Sequence, residues 1–138
     1  MPAPLVLLVD DDPDDCFIFS QVLRESVPEA NITCLPDCRS LLNYLQTSNA
    51  SVQRCIVPDM VFLDLNMPGM TGQECLKKLK ANQICRNVPI IVYSTASRPE
   101  IIEECRVLGA SLYIIKPSNP IELRQTISLI IKTLKPAE

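Results

Sequence analysis

Five short runs of apolar residues punctuate the chain, at 5–9, 32–35, 60–63, 89–93 and 112–115. They are too short for helices, rich in Val, Ile and Leu, and mostly continuous rather than alternating. That pattern predicts strands buried on both faces of a parallel sheet. Between the runs, apolar residues recur at helical spacing: Phe19, Val22 and Leu23; Ile101, Cys105 and Leu108; Leu123, Ile127, Ile130 and Leu134. Arg124, Gln125 and Lys132 fall off the last stripe, as on the polar face of an amphipathic helix. Helix starts are marked as well. Asp37 is placed to cap the segment that carries Leu41 and Leu45. Thr71 with Glu74, and Ser97 with Glu100, fit the capping box, and Asn119 precedes Pro120 as a cap before a first-turn proline. The least patterned stretch, 46–58, reads as a surface loop before the third strand. Strand and helix thus alternate five times, which parallel β-α units with right-handed crossovers explain.

Length and composition narrow the function. A chain of 138 residues, 47% hydrophobic and 21% charged, suits one domain spanning 1–138 with a real core. A net charge of −3 argues against a basic nucleic-acid face. No apolar run approaches the roughly 20 residues of a membrane helix. The N-terminus lacks the basic region of a signal peptide. Seven cysteines without paired spacing make a poor disulfide framework. The expectation is that all seven are reduced, in a cytoplasmic protein, and packed mostly as small hydrophobes. There is no histidine, so carboxylates, hydroxyls and lysine must carry any chemistry. Only KPAE follows Leu134, and the expectation is a domain without an attached effector.

The residues that end the strands are the informative ones. The first run ends in Asp10 and Asp11, the third in Asp64, the fourth in Ser94 and the fifth in Lys116. Open parallel sheets bind ligands outside the carboxyl ends of their strands. Within DDDPDD at 10–15, Asp12, Asp14 and Asp15 read as a solvated, acidic helix start. Asp10 and Asp11 end a buried strand and read as functional. A calcium loop fits poorly, because its sixth and twelfth positions would be Asp15 and Gln21. Asp64 is placed to attack phosphorus as an aspartyl nucleophile. A phosphoryl group among three carboxylates needs cationic help, and Mg²⁺ suits carboxylates, phosphate oxygens and water. Lys116 supplies a second positive charge, and Ser94 a donor to a phosphate oxygen. Pro117 either just ends the strand or, in a cis bond, aims the lysine into the site.

Four motifs, VDDD at 9–12, FLDLNMPGMTG at 62–72, PIIVYSTAS at 89–97 and GASLYIIKP at 109–117, occur in order. Together they resemble the receiver domain of bacterial two-component response regulators, over about residues 5–134. The resemblance implies a doubly wound, flavodoxin-like (βα)5 fold with five parallel strands in the order 2-1-3-4-5. It implies that Asp64 is the phosphoacceptor, and that Asp10 and Asp11 hold Mg²⁺ together with Asp64 and the backbone carbonyl of Asn66. Asp11 would coordinate directly and Asp10 mainly through water. Ser94 matches the switch hydroxyl, Lys116 the lysine that contacts phosphate, and Tyr113 the aromatic switch position. Such receivers take phosphoryl groups from a sensor histidine kinase or a histidine phosphotransfer protein and signal to a downstream protein target. They are not enzymes beyond their own phosphoryl transfer and acyl-phosphate hydrolysis. Ser118 departs from the family, which often has a bulky aromatic there.

Other readings compete on definite grounds. A haloacid-dehalogenase-type phosphohydrolase wants a second aspartate two residues after the nucleophile, where this chain has Asn66. A flavodoxin-like electron carrier needs phosphate donors in its first loop, where this chain has DDDPDD. The remaining rival is a receiver-like scaffold that is never phosphorylated.

Overall fold

The computed structural model describes residues 4–51 and 57–134. Its strands are β1 (Leu5–Val9), β2 (Asn31–Leu35), β3 (Met60–Leu63), β4 (Ile90–Ser94) and β5 (Leu112–Ile115). They alternate with helices α1 (Pro13–Ser26), α2 (Cys38–Ser51), α3 (Gly72–Ala81), α4 (Pro99–Val107) and α5 (Pro120–Leu134). All strand pairs are parallel and the order is β2-β1-β3-β4-β5. The expected α/β class, strand number and strand order are all present.

Alternate residues of each strand feed two cores, as the two-residue period of a pleated strand requires. Leu7, Val9, Val61, Leu63, Ile90 and Val92 pack with Leu41 and Leu45 of α2, Leu76 and Leu79 of α3, and Cys105 of α4. Val6, Leu8, Met60, Phe62, Ile91 and Tyr93 pack with Phe19, Val22 and Leu23 of α1 and Leu123, Ile127 and Ile130 of α5. On that second side Phe19 meets Phe62 edge-on, ring centroids 4.7 Å apart, and Tyr93 at 5.6 Å. Such pairs add about 0.5–1.5 kcal/mol beyond the area they bury. Ser26 bonds Ser128 at 2.9 Å, holding α1 against α5. The three central strands are fully buried apart from Leu5, while β2 and β5 at the edges are only partly so.

The caps decide where the helices begin. Asp37 Oδ1 accepts the Ser40 N–H at 2.7 Å, Thr71 Oγ1 that of Glu74 at 3.2 Å, and Asn119 Oδ1 that of Glu122 at 2.9 Å. The Ser97 capping box does not form. Arg98 occupies the cap without a side-chain bond and Pro99 starts α4, because proline favours the first helical position and holds its predecessor extended. Gly109 adopts φ +108 after α4, a turn that other residues enter at a cost. The loop expected at 46–58 is also corrected: α2 runs on to Ser51, with no Gly or Pro to stop it. Residues 52–56, the side chain of Leu134 and the KPAE tail lie outside the described residues.

One cysteine expectation fails. Cys38, at the start of α2, and Cys75, within α3, form a disulfide, with Cα atoms 5.8 Å apart. Both are buried in one core cluster, a tertiary proximity that their separation of 37 residues concealed. Cys16, Cys34, Cys85 and Cys105 are unpaired, and Cys55 lies outside the described residues. No helix among the described residues is long and apolar enough to cross a membrane.

Candidate functional site at the carboxyl edge of the sheet

The ladder itself delivers the carboxylates. Asp10 donates its N–H to Leu35 O at 3.0 Å, and Asp64 donates its own to Val9 O at 2.9 Å, so each continues a central strand by one residue. Both are nearly buried, at 2% and 4% exposure, whereas Asp11 is exposed. One carboxylate oxygen from each of Asp10, Asp11 and Asp64 lies within 4.8 Å of the others. Three hard oxygen donors at that spacing fit a small divalent cation.

Lys116 answers these charges. Its N–H is held by Ser94 O at 2.8 Å, and its Nζ reaches Asp15 at 2.8 Å, Asp10 at 2.9 Å and Asp64 at 3.4 Å. The ammonium also lies 5.4 Å from the centroid of the Tyr93 ring. Burial pulls its pKa down, but the Asp15 and Asp10 carboxylates outweigh that and hold it above the ordinary lysine value. Burial raises the Asp64 carboxyl; the Asn66 N–H and Lys116 pull the other way, and Asp10 adds to the rise. Burial likewise pushes the Tyr93 hydroxyl up to about 12. No described peptide bond is cis, Lys116–Pro117 included.

The loop after Asp64 returns tightly. Asn66 donates its N–H to Asp64 Oδ1 at 3.2 Å. Gly72 starts α3 so close to this loop that a Cβ there would stand 2.5 Å from Leu65 Cα. Across the site, Ser94 is fully buried and its Oγ accepts the Ala96 N–H at 3.2 Å. The Tyr113 hydroxyl donates to Ala96 O at 2.6 Å. Ser94 and Tyr113 therefore grip one residue of the loop that precedes α4. Beside Asp10 and Asp11, an open groove of about 460 Å³ runs past Cys16, Phe17 and Arg24 on α1. Burial raises the Cys16 thiol to about 12, which keeps it unreactive.

Asp10, Asp11, Asp64 and Lys116 thus gather as the strand ends implied, with Asn66 beside them. Ser94 adjoins the cluster through its carbonyl, and Tyr113 reaches Ser94 through Ala96. Asp15, expected to be a solvated helix-start acid, instead pairs with Lys116. Its place as the third residue of α1 was readable from Pro13, but the side it faces depends on how α1 packs on the sheet beside α5.

The response regulator receiver domain model matches residues 6–128, and this chain belongs to that family. It is 33% identical to the rice two-component response regulator ORR1 over 81% of its length, covering 48% of that protein. With rice ORR3 the identity is 30%, over 94% of this chain and 92% of the relative. The chain thus spans about half of some curated relatives and nearly all of others. Among solved structures, the phosphorylated cyanobacterial phytochrome response regulator RcpA is 27% identical with a TM-score of 0.85, covering 99% of this chain and 97% of that one. The Mn²⁺-bound form of Rcp1, 24% identical with a TM-score of 0.82 over 98% and 97% of the two chains, shares the fold. Plant and bacterial proteins both appear, so the similarity supports no bacterial source. The chain is a receiver domain of two-component signalling, a family that accepts phosphoryl groups from histidine kinases or phosphotransfer proteins.

Proposed function

We propose that this receiver is phosphorylated on Asp64, with Mg²⁺ held by Asp10, Asp11, Asp64 and the Asn66 carbonyl. The observation that carries the reading is the meeting of three strand-end carboxylates with the Lys116 ammonium at one sheet edge. An Asp64 carboxylate oxygen attacks the phosphorus of a phosphohistidine. The new O–P bond forms as the P–N bond breaks, and the imidazole leaves with the electron pair. Mg²⁺, when bound, supplies the positive charge that offsets repulsion between the phosphoryl oxygens and the carboxylates. Lys116 meets a phosphoryl oxygen with an N–H, and Ser94 turns its hydroxyl from the Ala96 N–H to another. Because Tyr113 holds the same Ala96, that turn moves the loop before α4 and changes the surface offered to a protein target.

The test is incubation with acetyl phosphate followed by intact-mass measurement. A single phosphate adduct is expected with Mg²⁺, and none in EDTA or in Asp64→Asn. An adduct that persists in Asp64→Asn overturns the reading. The scaffold alternative predicts no adduct under any condition.

A further inference from the structure

Lys116 has three ammonium hydrogens and three carboxylate partners, so its donors are fully committed. The contacts are unequal. Asp15 and Asp10 lie at 2.8 and 2.9 Å, whereas Asp64 lies at 3.4 Å. The ammonium is drawn toward the α1 side, away from the residue it is to serve. Of the two residues that hold it there, Asp10 has a fully buried side chain and Asp15 one that is 36% exposed. Water can therefore replace the lysine at Asp15 and cannot at Asp10. When negative charge is added on Asp64, the ammonium gains by moving toward it, and the Asp15 bond is the one that lengthens.

From this we infer that Asp15 is a positioning residue that restrains Lys116 in the unphosphorylated state and so limits the gain and lifetime of the phosphorylated state. The inference rests on Asp64 as phosphoacceptor. Asp15 pairs with Lys116 before phosphorylation and loses part of that pairing afterwards. Such a differential interaction shifts a two-state equilibrium. A partly exposed ion pair of this kind corresponds to about a two- to fivefold effect.

The experiment compares wild type, Asp15→Asn, Asp15→Glu and Asp14→Asn, each with saturating Mg²⁺. The readouts are beryllofluoride affinity by calorimetry and decay of the acetyl-phosphate adduct by intact mass. Asp14→Asn removes the same charge from the neighbouring, exposed residue, which is not among the carboxylates that Lys116 pairs with, and so reports general electrostatics. Asp15→Asn is expected to bind beryllofluoride about two- to fivefold more tightly and to hold its phosphate correspondingly longer. That gain should persist in 0.5 M salt, where the Asp14→Asn effect is screened. Asp15→Glu, which keeps the charge, should return toward wild type. If Asp15→Asn does not fold, Asp15→Ser takes its place. Matching behaviour of Asp15→Asn and Asp14→Asn, or weaker binding in Asp15→Asn, overturns the inference and leaves Asp64 untouched. No adduct on wild type overturns both.

Discussion

Asp64→Asn should make the metal-free protein more stable. Near a protein surface, the 3.4 Å contact with Lys116 corresponds to about 5 kcal/mol of attraction. Repulsion from Asp10 and from Asp11, with oxygens inside 4.8 Å, is at least about 3.5 kcal/mol each. Two repulsions exceed one attraction by about 2 kcal/mol before burial adds its own cost. Asparagine keeps an oxygen to accept the Asn66 N–H, so that bond survives. Water around the exposed Asp11 reduces the gain to about 1–2 kcal/mol, or about 4–8 °C in Tm. The pH dependence follows from the raised Asp64 pKa. Its penalty is fully present above the folded-state pKa and fades as pH falls through that value toward the unfolded one. The advantage of Asp64→Asn should therefore be largest at pH 7 in EDTA and shrink on acidification. Mg²⁺ should also shrink it, by stabilising wild type more. Urea unfolding of both proteins at pH 7 and at pH 4.5 measures this. An Asp64→Asn protein less stable than wild type in EDTA at pH 7 would refute the electrostatic account.

Other consequences are equally concrete. Gly72→Ala drives a Cβ into the Leu65 backbone and should cost about 2–3 kcal/mol in urea unfolding, while slowing phosphorylation by shifting the loop after Asp64. Asp37→Ala should cost about 1 kcal/mol at pH 7 by removing the α2 cap. The Ser40 N–H lowers the Asp37 pKa, so this stability is present above the unfolded pKa and lost as pH falls through the folded one, and the gap between the two proteins in acid titration of unfolding should close over that range. Reducing Cys38–Cys75, which are 37 residues apart, should lower stability by about 4 kcal/mol on the chain-entropy model. Equal unfolding curves with and without reductant, together with full alkylation of both thiols before reduction, would contradict that pairing.

The sheet was legible because its strands are continuous apolar runs, a signal strongest where both faces are buried. The observed boundaries lie within a residue of those runs. Asp10, Asp64, Ser94 and Lys116 were legible for the same reason, since a polar residue ending a buried strand must lie at the sheet edge. What escaped depends on how helices dock. Asp15 reads as a solvated acid until α1 is packed on the sheet and Lys116 reaches it. Cys38 and Cys75 lie on separate helices and meet only when both cover one sheet face. Ser97 looked like a cap by spacing, but Pro99 fixed the start of α4. The helical stretch after Leu45 lacks an apolar stripe, and periodicity alone could not extend α2 to Ser51.

Borohydride reduction of the acyl phosphate tests Asp64 as the site of phosphorylation most directly. Protein treated with acetyl phosphate and Mg²⁺ is reduced with borodeuteride, which converts an aspartyl phosphate to deuterated homoserine, then digested and sequenced by mass spectrometry. Homoserine is expected at position 64 and nowhere else, with the label lost when EDTA is present. Homoserine at Asp10, Asp11 or Asp15, or no conversion in Mg²⁺-saturated wild type, would contradict it.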